Sequence, residues 1–284
     1  MYRSAGVATT FSPRFLAVLS EARRVSQLFT APLHLIHAAE ESADKEQRFH
    51  EAIRRLGLDE RTPIHFRTGD PADAILAVQK EASIDVLIAG ALERETVHRN
   101  FTGNVARELL RRASADLFLF VQPDEHGRDI RHVFLAVPDF GPATRSVFQR
   151  AVEFSERAGA ESLTAVYVET PFSQAKEKAL GAKGPAPKEK LQSLLKESSP
   201  RRVRFDYHVV RGNTGFTMCE FIQASEADLL VMPSELQPDG KAVLAPVLDW
   251  AIQVIPTNLW VIRERGHTAA TAETASAAGT AGTT

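Results

Sequence analysis

The sequence predicts an α/β protein built from two tandem copies of one unit, and three observations lead to this prediction. Short apolar runs alternate along the chain with amphipathic stretches of helical spacing. A pattern of glycine, aspartate and apolar residues recurs in the second half of the chain. The length of 284 residues also suits two domains of about 150 residues each.

The strands are predicted from apolar runs that are rich in Val, Ile and Leu. Unbroken apolarity over a few residues is typical of strands covered on both faces, as in a parallel sheet. The runs lie at 33–36, 86–88, 117–121, 133–137, 165–168, 229–232 and 259–262. The stretches with helical spacing lie at 13–29, 72–82, 103–113, 143–158 and 216–224. Their alternation favours parallel strands joined by right-handed helical crossovers.

The internal repeat is defined by spacing. Gly69 and Asp85 are 16 positions apart, and Gly212 and Asp228 are also 16 apart, so the two pairs share an offset of 143. The first helices of the two halves differ by only 129 positions. The difference of 14 falls in residues 172–200, which we interpret as a lengthened, partly helical connection on the surface.

The repeat sets the domain boundaries. We place domain 1 at residues 1–125 and domain 2 at 129–264, joined by a polar linker. The tail, 265–284, is dominated by Ala, Thr and Gly and has no apolar period, so we expect it to be disordered.

Composition excludes several classes of function. Lys and Arg total 34 against 36 for Asp and Glu, so no basic field favours nucleic acid, and no nucleic-acid partner is expected. The single Cys219 excludes an intramolecular disulfide and fits a reducing compartment. No apolar run approaches the length of a signal peptide core or a membrane span, so we expect a cytoplasmic protein without a membrane partner. Neither a metal-binding spacing of histidines nor a nucleophile motif occurs, so no catalytic or metal-ligating residue is predicted.

Each half resembles a universal stress protein domain, and the resemblance covers nearly the whole chain apart from the tail. Residues 7–13 look like the first strand and turn of that family, and 33–38 look like its second strand. The family segment Gly-Asp-Pro-Ala stands intact at 69–72, and 85–90 matches the strand that leads to its glycine loop. The resemblance implies a doubly wound, five-stranded parallel sheet of the adenine nucleotide alpha hydrolase-like type in each half. It also implies that nucleotide-binding members hold ATP at the carboxyl ends of the strands.

The family's phosphate loop has the form Gly-x2-Gly-x9-Gly followed by Ser or Thr. In half one the corresponding residues are Gly90, Glu93, Gly103 and Asn104. The carboxylate of Glu93 would repel a triphosphate, whereas Asn104 can still cap the following helix and offer an amide donor. The two glycines are explained equally well as turns that the fold itself needs.

The family's acidic residue after the first strand is absent from half one and present in half two. Thr10 stands at its position in half one, where Ala38 ends the second strand of the same predicted site. Half two keeps the acid as Asp139, which we interpret first as a cap of the following helix. Its loop glycines are replaced by Pro233, Leu236 and Pro246, and proline removes amide donors. Any nucleotide site is therefore expected in half one.

The leading functional prediction is a tandem universal stress protein that acts as a non-catalytic stress-response or regulatory module. ATP or AMP, with magnesium, is the cofactor that the resemblance implies, and binding of none is the alternative. The family pairs domains through the last strand, so 117–121 and 259–262 are expected to pair within this chain. A homodimer of the whole chain is left open.

Two other classes of function are alternatives to this prediction. A slow ATP hydrolase or nucleotidyl-transfer enzyme would need a base and a metal ligand, for which Glu93 and His98 are the residues at hand. A protein-interaction scaffold would use the lysine- and arginine-rich segment 176–204 to contact an acidic partner.

Overall fold

The computed structural model confirms the α/β prediction. It describes residues 2–96, 99–102, 104–179, 185–197, 202–236, 242–243 and 257–265. The first half contains β1 (Ala5–Thr9), α1 (Phe15–Phe29), β2 (Leu33–His37), α2 (Ala43–Leu56), β3 (Ile64–Phe66), α3 (Pro71–Glu81), β4 (Val86–Gly90), β5 (Leu92–Thr96), β6 (Arg99–Thr102), α4 (Asn104–Arg112) and β7 (Asp116–Phe120). The second half contains β8 (His132–Ala136), α5 (Pro142–Ala158), β9 (Ser162–Glu169), α6 (Pro171–Ala179), α7 (Pro187–Lys196), β10 (Arg204–Arg211), α8 (Thr214–Ala224), β11 (Leu229–Leu236), β12 (Ala242–Val243) and β13 (Asn258–Arg265).

Two five-stranded parallel arrays form one continuous sheet. The strand order is β3-β2-β1-β4-β7 in the first half and β13-β11-β8-β9-β10 in the second. The arrays meet where β7 and β13 run antiparallel, with Phe118 opposite Trp260. The short β12 adds to β11, and β5 and β6 form a separate hairpin.

Local sequence explains where the helices begin. The Asp70 carboxylate accepts hydrogen bonds from the backbone N–H groups of Ala72 and Asp73 at 3.0 and 3.1 Å, and Pro71 takes the first helical position of α3. Gly69 precedes this cap with φ of 121°, a conformation that favours glycine. The Gly69-Asp70 pair is therefore a structural start signal for α3.

Apolar side chains cover both faces of the sheet. One face packs Phe29, Phe118, Phe154 and Trp260 together, with ring centroids between 5.1 and 6.4 Å apart. The other face packs a separate set that includes Ile75, Leu109, Met218 and Ile222. Full burial of one such side chain contributes about 1.5–3 kcal/mol, so the alternating faces of these strands account for a large part of the stability.

The structure also departs from the sequence interpretation. The stretch after Gly90 is not an open loop, because residues 92–102 contain the β5–β6 hairpin. In half two, β11 continues through Pro233 to Leu236, at the positions that correspond to the family's glycine loop, and β13 stays paired with it as far as Arg265. Arg265, which the sequence placed in the tail, therefore belongs to a strand, and residues 266–284 lie outside the described part of the chain.

The lengthened connection of half two contains two helices, α6 and α7, where half one has only α2. Leu191 and Leu194 of α7 are buried in the core. Residues 180–184 and 198–201 of the predicted partner segment lie outside the described residues. Within the described ranges, no helix has the length and apolarity that crossing a membrane requires.

Candidate functional site

A cavity of about 320 Å³ opens in half one at the carboxyl ends of β1 and β4. The start of α4 forms its opposite wall. Four of the predicted site residues line this cavity together: Thr10, Ala38, Gly90 and Asn104. We call it the half-one cleft. Its position follows from the parallel sheet, since ligands of such sheets bind outside the carboxyl ends of the strands.

The interior of the half-one cleft is apolar, and its rim is polar. Val18, Ile75 and Phe120 contribute the apolar lining, and Ser12 and Arg14 lie on the polar side. A Cβ atom at Gly90 would lie 3.4 Å from the Val18 Cγ2, which is an ordinary van der Waals contact, so the packing of β4 against α1 leaves room for a small side chain here.

The electrostatics of the half-one cleft favour an anion. No carboxylate is among the described residues that line it, whereas Arg14 is. The positive end of α4 starts at Asn104, whose Oδ1 accepts a hydrogen bond from Arg107. This arrangement suits a phosphate or carboxylate group near the cleft entrance.

His37 lies beside the cleft at the end of β2 and is held neutral. Its Nδ1 lies 3.0 Å from the carbonyl oxygen of Thr9, and the Thr9 hydroxyl donates to the carbonyl of Ile36 at 3.0 Å. Burial lowers the pKa of His37 from its ordinary value of 6.5; the hydrogen bond to Thr9 opposes this shift, and the nearby charges of Lys45 and Arg48 add to it. The imidazole therefore fixes the turn after β1 and adds no charge at neutral pH.

The described residues do not fit a magnesium ion held by the protein. Oxygen ligands from Asp or Glu are what magnesium prefers, and the described lining of the half-one cleft contains none. Across the described ranges no group of three His, Cys, Asp or Glu could hold a metal.

Other predicted residues of half one are only partly defined. Glu93 belongs to β5, so its backbone is in a strand and not in a glycine-type loop. Gly103 and His98 lie outside the described residues. The geometry of the predicted phosphate loop therefore rests on Gly90 and Asn104.

The corresponding cavity of half two is smaller, about 160 Å³, and is lined by Asp139, Pro233 and Glu235 among others. The Asp139 carboxylate accepts hydrogen bonds from the backbone N–H of Gly141 at 2.7 Å and from the Thr144 hydroxyl at 3.1 Å. Asp139 thus holds the turn before α5. It lies in the other half of the chain and not with the residues of the half-one cleft.

Sequence reasoning missed Arg14 and Ser12. Both belong to the turn between β1 and α1, and the signal that could have found them is their position directly after Thr10. Cys219 is buried in α8, and burial raises the pKa of its thiol to about 11, so the thiol is unreactive at neutral pH.

A larger cavity, about 590 Å³, lies where the two halves meet at the start of β7. Its charged groups bind one another: Arg3 pairs with Asp85 at 3.2 Å, and Arg150 pairs with Asp116. Burial, followed by the Asp116 charge, raises the pKa of Tyr2 well above 10.0, so its phenol stays protonated and donates to Asp116. The Arg150–Asp116 pair joins the two halves, whereas the Arg3–Asp85 pair lies within half one.

Comparison with known proteins decides the family. The profile of the universal stress protein family matches residues 1–120 and, a second time, residues 130–263. The chain belongs to the universal stress protein family. It contains two tandem domains of that family, so the predicted family and fold class are confirmed.

Solved structures agree with this universal stress protein fold. A universal stress protein from Archaeoglobus fulgidus DSM 4304 is 13% identical, with a TM-score of 0.64 over 92% of this chain and 98% of its own. A functionally unknown protein from Pseudomonas aeruginosa PAO1 is 16% identical, with a TM-score of 0.68 over 92% of each chain. At these identities the likeness shows the fold alone.

A universal stress protein in complex with cAMP is also similar, at 18% identity over 37% of this chain and 74% of its own. Its TM-score of 0.28 is too low to inform the ligand of this chain. A search of curated protein sequences gives no match.

Proposed function

We propose that this universal stress protein is a non-catalytic stress-response module whose half-one cleft binds an adenine nucleotide. The observation that carries the proposal is the convergence of Thr10, Ala38, Gly90 and Asn104 on one cavity of about 320 Å³. Pockets for small ligands have volumes of roughly 300–1,000 Å³, so this cleft suits a mononucleotide. A cytoplasmic location belongs to the same proposal.

The charges on the half-one cleft support an anionic ligand. Arg14 and the amino end of α4 line the cavity, and its described lining has no acid. Backbone N–H groups at the start of α4 can approach a phosphate, and the apolar interior around Ile75 and Phe120 can contact a base. Magnesium, if it accompanies the nucleotide, would be held mainly by the phosphates.

The two domains have different roles in this proposal. In half two, Asp139 binds the turn before α5, and Pro233 lies in a strand where the family has a loop glycine. Proline offers no N–H to a phosphate, and Glu235 adds a negative charge to the lining of the smaller cavity. Half two therefore carries a degenerate motif and supports half one structurally.

Calorimetric titration with AMP, and separately with ATP and magnesium, tests this proposal. We expect saturable heat from the wild-type protein and none from Ala38→Trp, whose indole fills the half-one cleft. The matched control is Ala143→Trp in the cavity of half two, which should bind like the wild type. Absence of heat at millimolar nucleotide, or equal binding by Ala38→Trp, would overturn the proposal.

Turnover distinguishes the enzymatic alternative. A hydrolase would release phosphate from labelled ATP, and the release would disappear in Glu93→Gln, because Glu93 is the base which that alternative requires. Binding without release supports the non-catalytic module. A salt-sensitive acidic partner captured through residues 176–204 would instead support the scaffold.

A further inference from the structure

The second half ends in a long edge strand. In the described sheet, β10 is the terminal strand and pairs only with β9. It has eight residues, whereas β3 at the opposite edge has three. A short edge strand offers little backbone to another chain, but a long one presents a row of donors and acceptors.

Hydrogen bonds to β9 define which backbone groups point outward. The N–H of Arg204 donates to the carbonyl of Glu161 at 3.0 Å, and that of Gly212 donates to the carbonyl of Glu169 at 3.2 Å. Since backbone groups alternate in direction along a strand, the even-numbered residues face β9. The residues whose N–H and C=O point to the free edge are Phe205, Tyr207, Val209 and Arg211.

Exposed apolar side chains gather near the same edge. In the described part of the chain, the large apolar residues with exposed side chains are Phe172 at 77%, Phe216 at 44% and Val209 at 37%. Val209 is in β10, and the two phenylalanines follow the carboxyl ends of β9 and β10. An exposed apolar surface around unpaired backbone groups is typical of an interaction site.

We propose that β10 pairs with β10 of a second copy of this chain, antiparallel, about a twofold axis through Tyr207. Antiparallel pairing requires outward-pointing residues to lie opposite each other, so the axis must pass through a residue and not between two residues. With the axis at Tyr207, Phe205 lies opposite Val209 of the second copy. The twofold axis repeats this apolar pair, which closes the assembly as a dimer.

The pairing of unlike polar side chains selects this register. With the axis at Tyr207, Asp206 lies opposite His208 of the second copy, in a non-hydrogen-bonded pair where side chains approach most closely. An axis at His208 would put two histidines opposite each other, and an axis at Asp206 would put two carboxylates together. An axis at Phe205 would leave Val209 unpaired, and one at Val209 would leave Asp206 without its partner.

Sedimentation equilibrium on the full chain tests the interface. We expect a reversible monomer–dimer equilibrium for the wild type. Val209→Pro removes one outward N–H without removing a hydrogen bond to β9, and proline is tolerated on edge strands, so this variant should be monomeric with an unchanged circular dichroism spectrum. The control Val209→Thr keeps the N–H and the branched shape, and should dimerise. A monomeric wild type, or a dimeric Val209→Pro protein, overturns the proposal.

A charge reversal tests the register. His208→Asp places carboxylates opposite each other twice, so the dissociation constant should rise about tenfold or more. Adding Asp206→Lys to that variant restores opposite charges and should return the dissociation constant towards the wild-type value. If His208→Asp has no effect, or the double variant stays as weak as the single one, this β10 pairing is wrong.

Discussion

The carboxylate of Asp116 accepts a hydrogen bond of 2.6 Å from the backbone N–H of Arg263, across the antiparallel junction of β7 and β13. On the other side of the junction, the Asn258 side chain accepts an equivalent bond of 3.0 Å from the N–H of Val121. The corresponding residues, Asp116 with Asn258 and Val121 with Arg263, are each 142 positions apart. The junction is therefore pseudo-symmetric in its backbone, but it has an acid on one side and an amide on the other.

The acid at this junction is surrounded by donors from both domains. Asp116 also accepts hydrogen bonds from Tyr2 and from the Arg150 guanidinium, and its side chain is only 6% exposed. The indole N–H of Trp260 donates to the Tyr2 hydroxyl at 3.0 Å. Asp116 thus links the start of domain 1 to α5 and β13 of domain 2.

We predict that Asp116→Asn destabilises the fold by about 2 kcal/mol, because it leaves Arg150 without its nearest carboxylate. Breaking a fully buried pair costs about 3–5 kcal/mol, and the lower figure follows because the Arg150 side chain is 31% exposed. Glu264, 3.8 Å from Arg150, remains as a weaker partner. Urea denaturation followed by circular dichroism measures the change.

The matched control for this substitution is Asp129→Asn. Asp129 pairs with Arg131 at 3.4 Å, and both side chains are well exposed, so its loss should change the unfolding free energy by less than about 0.5 kcal/mol. Equal effects of the two substitutions would show that the buried pair does not hold the domains together.

The sequence predicts this junction only in part. Apolar runs within each segment identify β7 and β13. The resemblance to the family predicts that these two strands pair. The contacts of Asp116 with Tyr2 and Arg150 join residues far apart in the chain, and no periodicity encodes them. Because such contacts join residues that are far apart in the chain, the sequence predicts strands better than it predicts side-chain networks.

The half-one cleft, like the junction, is predicted only in part by the sequence. Thr10, Ala38, Gly90 and Asn104 line one cavity because each ends or follows a strand, or begins a helix, at one end of the sheet. The hairpin formed by β5 and β6 was not predicted, since residues 92–102 show the spacing of the family loop but no long apolar run. Its pairing is an outcome of local backbone hydrogen bonding that the glycine pattern did not reveal.

A second prediction concerns acid sensitivity. The Nδ1 of His34 lies 3.0 Å from the Nε2 of His65, and the two rings are tilted by only 13°, so one ring donates a hydrogen bond to the other. Burial lowers the pKa of both from 6.5, and the proximity of His65 lowers that of His34 further, while Glu81 opposes the shift at His65. Lowered pKa values mean that the unfolded chain binds more protons than the folded chain below pH 6.5.

Stability contributed by this pair is therefore complete above about pH 6.5 and is lost as the pH falls through the lower folded pKa values. We expect the melting temperature to decrease between pH 7 and pH 5, and to decrease less in His34→Gln, which cannot take up a proton. Thermal melts in matched ionic strength measure this. An identical pH dependence of the variant and the wild type would exclude the pair as the cause.

A third prediction tests the cation of the half-one cleft. Arg14→Ala should weaken binding of AMP about tenfold or more, because hydrogen bonds to charged groups contribute about 1.5–3 kcal/mol. The loss should shrink as salt is raised, since added ions screen the attraction between Arg14 and the phosphate in the wild type. Titration calorimetry at two salt concentrations measures both effects, and Arg3→Ala, outside the cleft, serves as the control that should leave affinity unchanged.

The final prediction uses the repeat as its own control. Gly69 and Gly212 occupy corresponding positions, with φ of 121° and 154°, so a side chain strains the backbone at both. An added Cβ at Gly69 has no atom within 4 Å, whereas at Gly212 it would lie 2.2 Å from the Thr217 Oγ1. Gly69→Ala should therefore cost about 1–2 kcal/mol from strain alone, and Gly212→Ala should cost roughly 1 kcal/mol more, because Thr217 must move. Denaturant melts of the two variants, with Gly212→Ala,Thr217→Ala as a third that lacks the crowding hydroxyl, separate these contributions. If crowding by Thr217 matters, the third variant recovers part of the extra loss, and equal stability of all three would show that backbone strain alone sets the cost.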